Sequence, residues 1–335
     1  MTIKPPKANT PTRKHANTQG RIDMSDTGSE QTEAWTILRM LQWTTDHLKK
    51  YGSSSPRLDA EVLFAHARNC QRIDLYAAFN EDPPEAVKAI FRDLVKRRAK
   101  GEPVAYLVGK KEFFSLSFLV NNACLIPRNE TEHIITECID RIKKNPPQSP
   151  LRIADVCTGS GCIAVTIAKE CQRLGFPAEL IAIDLSTQAL EVAKQNIQLH
   201  NVQNSVKALQ GDLLDVTPGA TPEAIPENSC DFILSNPPYI SDEEYLKLDK
   251  SVRDYEPKIA LVSSPSGLEI IRQLIDQAAT KLKTGGWLIF EHSPMIAQEC
   301  NSLLLQSKTP TGPWADIRLV KDLAGLARVS IARKP

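Results

Sequence analysis

The chain has 335 residues, 41% of them hydrophobic and 24% charged, with a formal net charge of +1. That length accommodates two domains and a large core, and the near-balanced charge argues against a chain that holds nucleic acid through its overall field. No apolar run reaches the ~18–20 residues needed to span a bilayer, and the 8 cysteines contain no Cys-x-x-Cys pair, which points away from a zinc site and toward a reducing cytoplasm.

Residues 1–30 are rich in Lys, Thr, Pro, Ser and Asn and nearly devoid of large apolar side chains. Such a segment cannot bury enough surface to offset its ordering entropy, so a disordered basic tail is expected. Its Lys and Arg content could suggest a transit peptide, but the apolar stripe of a targeting helix is missing. Met24 stands as an alternative start. From Glu33 to Lys100 the period is helical. Ile37, Leu38, Leu41, Trp43 and Leu48 open one helix, and Leu63, Phe64 and Ala67 mark the face of a second. Ile73 to Phe79 gives a short third, and Pro83-Pro84 opens a fourth with Val87, Ile90, Phe91 and Leu94 spaced for burial. The fourth ends in Lys96, Arg97, Arg98 and Lys100, which either complement the helix dipole or contact a large protein substrate. Residues 111–130 read as a hairpin linker, with Phe113 to Leu125 alternating, and Ile126-Pro127-Arg128 leads into the next helix. Arg128 pairs either with an acid near a ligand or within a structural ion pair.

From 131 to the end the pattern is α/β. The strand Leu151 to Asp155 runs into Cys157-Thr158-Gly159-Ser160-Gly161 and then an apolar helix from Ile163. Small residues in such a loop let the backbone approach a nucleotide-like ligand. No Gly-Lys-Ser/Thr follows, so this is not a phosphate cradle. The next strand ends in Asp184, placed to accept both ribose hydroxyls. A third brings Asp212 and Leu213 to the position of an adenine contact. Each acid alone could be a helix cap or a solvated charge. Asp155, Asp184 and Asp212 at the carboxyl ends of successive strands converge on one sheet edge, and a nucleoside ligand without phosphate, S-adenosylmethionine, fits them best. Cys157 and Cys162 are read as small fillers of the tight loop rather than a redox pair.

The most informative stretch follows the strand Asp231 to Leu234: Ser235-Asn236-Pro237-Pro238-Tyr239. A conjugated NH2 group is a poor nucleophile because its lone pair is delocalised. An Asn side-chain oxygen and a prolyl carbonyl can accept its two N–H bonds and aim that lone pair at an electrophile, so that orientation replaces reactivity. Proline stiffens the loop that carries the acceptors. Beyond it, residues 240–257 are polar and read as a mobile cover. Leu268 to Leu282 is helical, and Gly285-Gly286 turns into the strand Trp287 to Phe290. Glu291-His292 sits at that strand's end, where His292 is either a general base or a packed side chain. Arg328 to Ala332 is expected to close the sheet as an antiparallel edge strand.

With these residues in view, the chain resembles the HemK/PrmC-type protein-(glutamine-N5) methyltransferases. The resemblance extends over most of the sequence from about Ala34 onward: Ser55 to Glu61, Gly101-Glu102-Pro103-Val104-Ala105-Tyr106, Glu112-Phe113-Phe114, Leu125 to Glu132, Asn236 to Tyr239, and Glu291-His292. It implies a Rossmann-like S-adenosylmethionine-dependent methyltransferase sheet at 131–335, preceded by a helical substrate-recognition bundle at 31–110. It implies cofactor contacts from Asp155, Cys157, Thr158, Gly159, Ser160, Gly161, Asp184, Asp212, Leu213 and Asn236. Asn236, Pro237 and Tyr239 are the catalytic set and, with Pro238, the substrate clamp, Tyr239 packing on the amide plane. Two positions depart from the family pattern. Cys157 replaces the loop's first glycine, a steric cost if φ is positive there, and Asn129-Glu130 stands where Pro-Asp is usual.

The activity implied is N5-methylation of the Gly-Gly-Gln glutamine of class 1 peptide-chain release factors by a cytoplasmic monomer that binds neither membrane nor DNA directly. A DNA or RNA amino-group methyltransferase (adenine-N6 or cytosine-N4) shares the same clamp and is the alternative. A non-catalytic module that holds a translation factor is a third reading, disfavoured by the intact Asp184 and Asn236 to Tyr239.

Overall fold

The computed structural model describes residues 34–216 and 225–335. The tail expected at 1–30 lies outside them. Every element below lies within one compact unit, Thr36–Pro335.

Five helices come first: α1 (Ile37–Lys50), α2 (Pro56–Arg68), α3 (Arg72–Ala77), α4 (Glu85–Ala99) and α5 (Val104–Val108). Thr36 caps α1 by accepting from the Arg39 N–H, and Pro56 opens α2 at the position where a missing N–H costs nothing. Leu41, Leu48, Leu63, Phe64, Phe91 and Leu94 are buried between α1, α2 and α4. Two expectations change. Ile90 is exposed and Val95 takes its place inside, and Pro103 starts a fifth helix, α5, where the periodicity gives four. The basic end of α4 is largely neutralised within the fold: Arg97 pairs with Glu102 at 2.5 Å and Arg98 with Asp59 at 2.8 Å.

The linker hairpin is β1 (Lys110–Phe113) and β2 (Leu116–Leu119). It starts and ends earlier than the alternation implies. The turn falls on Phe114-Ser115, both in the left-handed region at φ 48° and 60°, the geometry that joins two twisted strands in two residues. After the single turn Asn129–Thr131 come α6 (Glu132–Lys144), β3 (Leu151–Val156), α7 (Cys162–Leu174), β4 (Ala178–Asp184), α8 (Thr187–Leu199), β5 (Val206–Asp212), β6 (Asp215–Val216) and β7 (Cys230–Ser235). The chain continues with the short helices α9 (Asp242–Tyr245) and α10 (Lys250–Arg253), then α11 (Glu269–Lys281), β8 (Leu282–Glu291), α12 (Ala297–Gln306), the short pair β9 (Lys308–Thr309) and β10 (Gly312–Pro313), β11 (Ala315–Lys321) and β12 (Ala327–Arg333).

The central sheet has the order β11-β12-β8-β7-β3-β4-β5-β6, with β8, β7, β3, β4 and β5 parallel. Its strands alternate between two cores. Ile153, Leu180, Phe232, Leu234, Ile289 and Ile331 face α6, α7 and α8, whereas Ala154, Val156, Ile183, Ile233, Leu288 and Phe290 face α11 and α12. This is the expected α/β methyltransferase sheet with an antiparallel C-terminal strand, but one detail is corrected. β12 is antiparallel and lies inside, between β8 and β11; the edge is β11. The side chains explain the order. Val329, Ile331 and Ala332 need cover on both faces, while Asp316, Arg318 and Lys321 equip β11 for an edge that must stay wet.

Candidate active site

The strand order reverses between β3 and β7. The chain moves outward from β3 to β4 to β5, then returns to lay β7 on β3's other side. Loops leaving adjacent strands on either side of such a reversal diverge and leave a crevice beyond the carboxyl ends. Val156 and Ser235 are register partners, so the loops beginning at Cys157 and Asn236 leave the sheet side by side. Between them opens a cleft lined by residues of both loops, the concave setting in which small-molecule sites are usually found. Cys157, Thr158, Gly159, Ser160, Asp184, Asp212, Leu213, Asn236 and Pro238 all line it, which unites most of the residues singled out in the sequence.

Asp184, at the end of β4, accepts the Gly159 N–H at 2.8 Å and the Ser186 N–H at 2.9 Å, one on each oxygen. Burial raises its pKa, while the Ser186, Gly159 and Leu185 backbone donors favour the ionised form. Each oxygen keeps further acceptor capacity. The carboxylate can therefore receive a diol while holding the β3–α7 loop in register with β4. Asp212 is exposed at the end of β5, and Leu213 beside it is buried.

Asp155 is placed differently from the sequence expectation: it does not line the cleft. It is fully buried, and its Oδ2 accepts the Thr158 hydroxyl at 2.5 Å and the Ala164 N–H at 3.0 Å, fastening the loop to the first turn of α7. Burial pushes its pKa up to about 7, against those two donors. Gly161 also stands back from the cleft. A β-carbon there would lie 3.2 Å from the Ala193 Cβ, so this glycine sets how closely the loop packs on α8. Cys157 has φ 58°, so the residue replacing the family's glycine does occupy the left-handed region, at a cost of roughly 1–2 kcal/mol. Burial pushes its thiol, and that of Cys162, well above the ordinary range, as inert fillers require.

On the opposite wall, the Asn236 Nδ2 donates to the Thr131 hydroxyl at 3.1 Å, which leaves Oδ1 as the acceptor end of the amide. Pro237 and Pro238 are both buried. Tyr239 is not part of the cleft wall; its hydroxyl turns back to donate to Glu291 Oε1 at 3.0 Å. A buried carboxylate demands donors, and the Tyr239 hydroxyl supplies one. The clamp is anchored behind by two backbone bonds, Ile240 N–H to the Leu261 carbonyl and Ser263 N–H to the Ile240 carbonyl, each 2.9 Å. His292 is fully buried, with Nδ1 3.0 Å from the Ser293 carbonyl, and burial lowers its pKa. It packs and does not reach the cleft.

The cleft also takes in residues for which the sequence suggested no contact. Leu125 and Pro127, from the linker's end, wall the cleft, as do Ile259 and Ala260, which follow the polar segment 240–257. Glu256, in the acidic turn before them, is buried and accepts the Ile126 N–H at 3.1 Å and the Arg128 guanidinium at 2.5 Å. This settles Arg128 as a structural partner that ties the linker to the segment beyond the clamp. Glu256→Ala leaves a half-exposed arginine and a backbone donor unmatched, and is expected to cost about 3 kcal/mol. Thermal unfolding checks this, and an unchanged Tm would remove the role. Gly267, at φ +87°, sits against the clamp: a β-carbon there would come within 2.5 Å of the Tyr239 carbonyl oxygen. Gly267→Ala is therefore expected to push the Tyr239 backbone and lower kcat more than tenfold, since small displacements of a positioned group are costly. Steady-state kinetics at saturating cofactor read this, and unaltered turnover would show that the clamp tolerates the shift.

The chain matches the PrmC N-terminal domain over residues 39–109 and the Methyltransferase small domain over residues 134–250. It is 46% identical over 301 residues to the release factor glutamine methyltransferase of Rhodopirellula baltica, covering 90% of this chain and 97% of that one. The protein of the same name from Nitratidesulfovibrio vulgaris is 38% identical over 299 residues, covering 89% and 95%. That from Koribacter versatilis is 35% identical over 301 residues, covering 90% and 99%. Similarity at these levels over about nine-tenths of the chain places it in the release factor glutamine methyltransferase family.

Proposed function

We propose that the protein transfers the methyl group of S-adenosylmethionine to the side-chain nitrogen of the glutamine in the Gly-Gly-Gln motif of class 1 release factors. One observation carries this reading: Asn236 shares a cleft with Asp184 and the Cys157–Ser160 loop, and its amide is tied back through Nδ2 so that an oxygen is left to face a substrate NH2. The donor set of the cleft suits the cofactor. Asp184 offers carboxylate oxygens to a ribose diol, Asp212 and Leu213 offer an acceptor and an apolar edge to adenine, and among the described residues no lysine or arginine lines the wall to call for phosphate. When bound, the cofactor supplies a methyl carbon made electrophilic by its sulfonium.

The chain's part is positional. The Asn236 Oδ1 and the Pro237 carbonyl accept the two N–H bonds of the glutamine amide and turn its lone pair toward the methyl carbon. The same two oxygens would stabilise the positive charge that grows on the amide nitrogen during transfer. The nitrogen then loses a proton to solvent, a step that needs no placed base. The helices α1 to α5 are the surface that reads the release factor, and the enzyme works as a monomer in the cytoplasm without binding DNA. Among the described residues no helix is long and apolar enough to cross a membrane.

Incubation with radiolabelled cofactor, purified release factor and duplex DNA tests the substrate. Label is expected on the release factor alone and is lost when the glutamine of its Gly-Gly-Gln loop is replaced. Label on the DNA would establish the amino-group reading in its place.

A further inference from the structure

Thr131 ends the single turn that runs into α6, itself in helical geometry at φ −64° and ψ −21°, and its hydroxyl caps no backbone N–H. Its hydroxyl instead donates to Glu291 Oε2 at 2.6 Å and accepts from Asn236 Nδ2 at 3.1 Å. Glu291, at the end of β8, is 2% exposed, and its other oxygen accepts from Tyr239. Three elements of the sheet edge thus meet in one buried chain of hydrogen bonds running from Glu291 through Thr131 to Asn236.

The chain of bonds has a direction. A hydroxyl has a single proton to give, and an ionised carboxylate can only accept. With Glu291 ionised, the Thr131 proton points at Glu291, so only the hydroxyl's lone pairs are left for Asn236. The asparagine must then offer its NH2 to Thr131 and its oxygen to the cleft. If Glu291 carries a proton it can donate to Thr131 instead. The hydroxyl is then free to donate to the Asn236 oxygen, and the amide presents NH2 to a substrate NH2, two donors facing each other. We propose that Glu291, acting through Thr131, is the positioning residue that sets which end of the Asn236 amide faces the substrate. This rests on the glutamine-methylation reading above and extends it to Thr131 in the cleft wall and to Glu291 behind it.

The charged and titratable groups around Glu291 are Tyr239 from the clamp, Glu130 from the turn before α6, and Arg328 from β12; Arg128 acts on Tyr239. Burial raises the Glu291 pKa above the ordinary carboxylate range, the Thr131 and Tyr239 hydroxyls and Arg328 lower it, and Glu130 adds to the rise. The active form is the ionised one. Activity is therefore present above the Glu291 pKa and falls as pH drops through it, at a higher pH than an ordinary glutamate would dictate.

Four variants test the relay. Thr131→Val removes the hydroxyl at constant shape and is expected to lower kcat at least tenfold, with the affinity for S-adenosylhomocysteine unchanged by calorimetry. Thr131→Ser keeps the hydroxyl and is expected to restore most of the turnover, a rescue that a packing role would not give. Glu291→Gln removes the group that gains and loses a proton, and is expected to lose the acidic limb of the wild-type kcat profile. A substrate-free readout separates this proposal from the functional reading. The Asn236 side-chain amide signal in 15N NMR, assigned by its loss in Asn236→Asp, is expected to shift with pH in the wild type and not in Glu291→Gln. Turnover of Thr131→Val within threefold of wild type, an acidic limb that survives in Glu291→Gln, or an Asn236 signal indifferent to pH would each overturn the relay. Failure of the wild type to label any release factor would overturn the functional reading and leave the NMR result to stand by itself.

Discussion

Asn236→Ala is expected to lower kcat by about 10²-fold or more, the loss typical when one preorganised polar group is taken from a developing charge. The substitution removes the Oδ1 acceptor and also strips Thr131 of its donor, but it leaves Asp184 and the Cys157–Ser160 loop as they are. Cofactor affinity should therefore stay within a few fold, and the defect should appear in kcat at saturation rather than in the KM for cofactor. A substrate-side loss with intact cofactor binding separates a clamp from a residue that merely walls the cleft. Single-turnover kinetics give the chemical step directly, and near wild-type rates would remove the clamp altogether.

Asp184→Asn is the complementary case. The carboxylate accepts a backbone N–H on each oxygen, and an asparagine can accept on only one. Its NH2 would face either the Gly159 or the Ser186 donor, and one place for a ribose hydroxyl would be lost with it. Hydrogen bonds to a charged group are worth about 1.5–3 kcal/mol, so affinity for S-adenosylhomocysteine is expected to fall roughly 10- to 100-fold. The rate at saturating cofactor should change much less, because Asn236 stands on the neighbouring loop. Calorimetry decides it; an affinity within twofold of wild type would place the ribose elsewhere. The pair of variants thus divides the cleft into a cofactor half under β3 and β4 and a substrate half under β7.

Much of the fold and the cleft is legible in the sequence. The strands Leu151 to Val156 and Cys230 to Ser235 are short, apolar and bounded by small or turn-forming residues, so local pattern gives their type and their carboxyl-end loops. The loop acids and the Asn-Pro-Pro-Tyr stretch carry their chemistry in residue type and spacing, and the structure collects Asp184, Asp212 and Asn236 on one cleft as that pattern implies. The steric cost at Cys157 depends on a positive φ, and φ 58° meets that condition.

The expectations that fail have a common source. Asp155 looks like its two sister acids because all three end strands, yet it lies under the loop while the others face outward, and period-2 side-chain direction at a strand's last residues decides which. Arg328 to Ala332 reads as an edge because it comes last in the chain. The charged outer face of Ala315–Lys321 claims the edge instead, and exposure is a property of neighbours rather than of position in sequence.

What the amino-acid sequence determined by itself was the succession of elements, the loop that approaches a nucleoside and the clamp for a conjugated amide, since each is written in residues close together along the chain. Tertiary structure alone decided how Thr131, Tyr239 and Glu291 meet behind Asn236, and how Glu256 binds Ile126 and Arg128. These partners are separated by 160, 52, 130 and 128 positions respectively. A hydrogen-bond donor acquires its meaning only when burial removes water as the competing partner, and burial exists only once distant strands have been laid side by side.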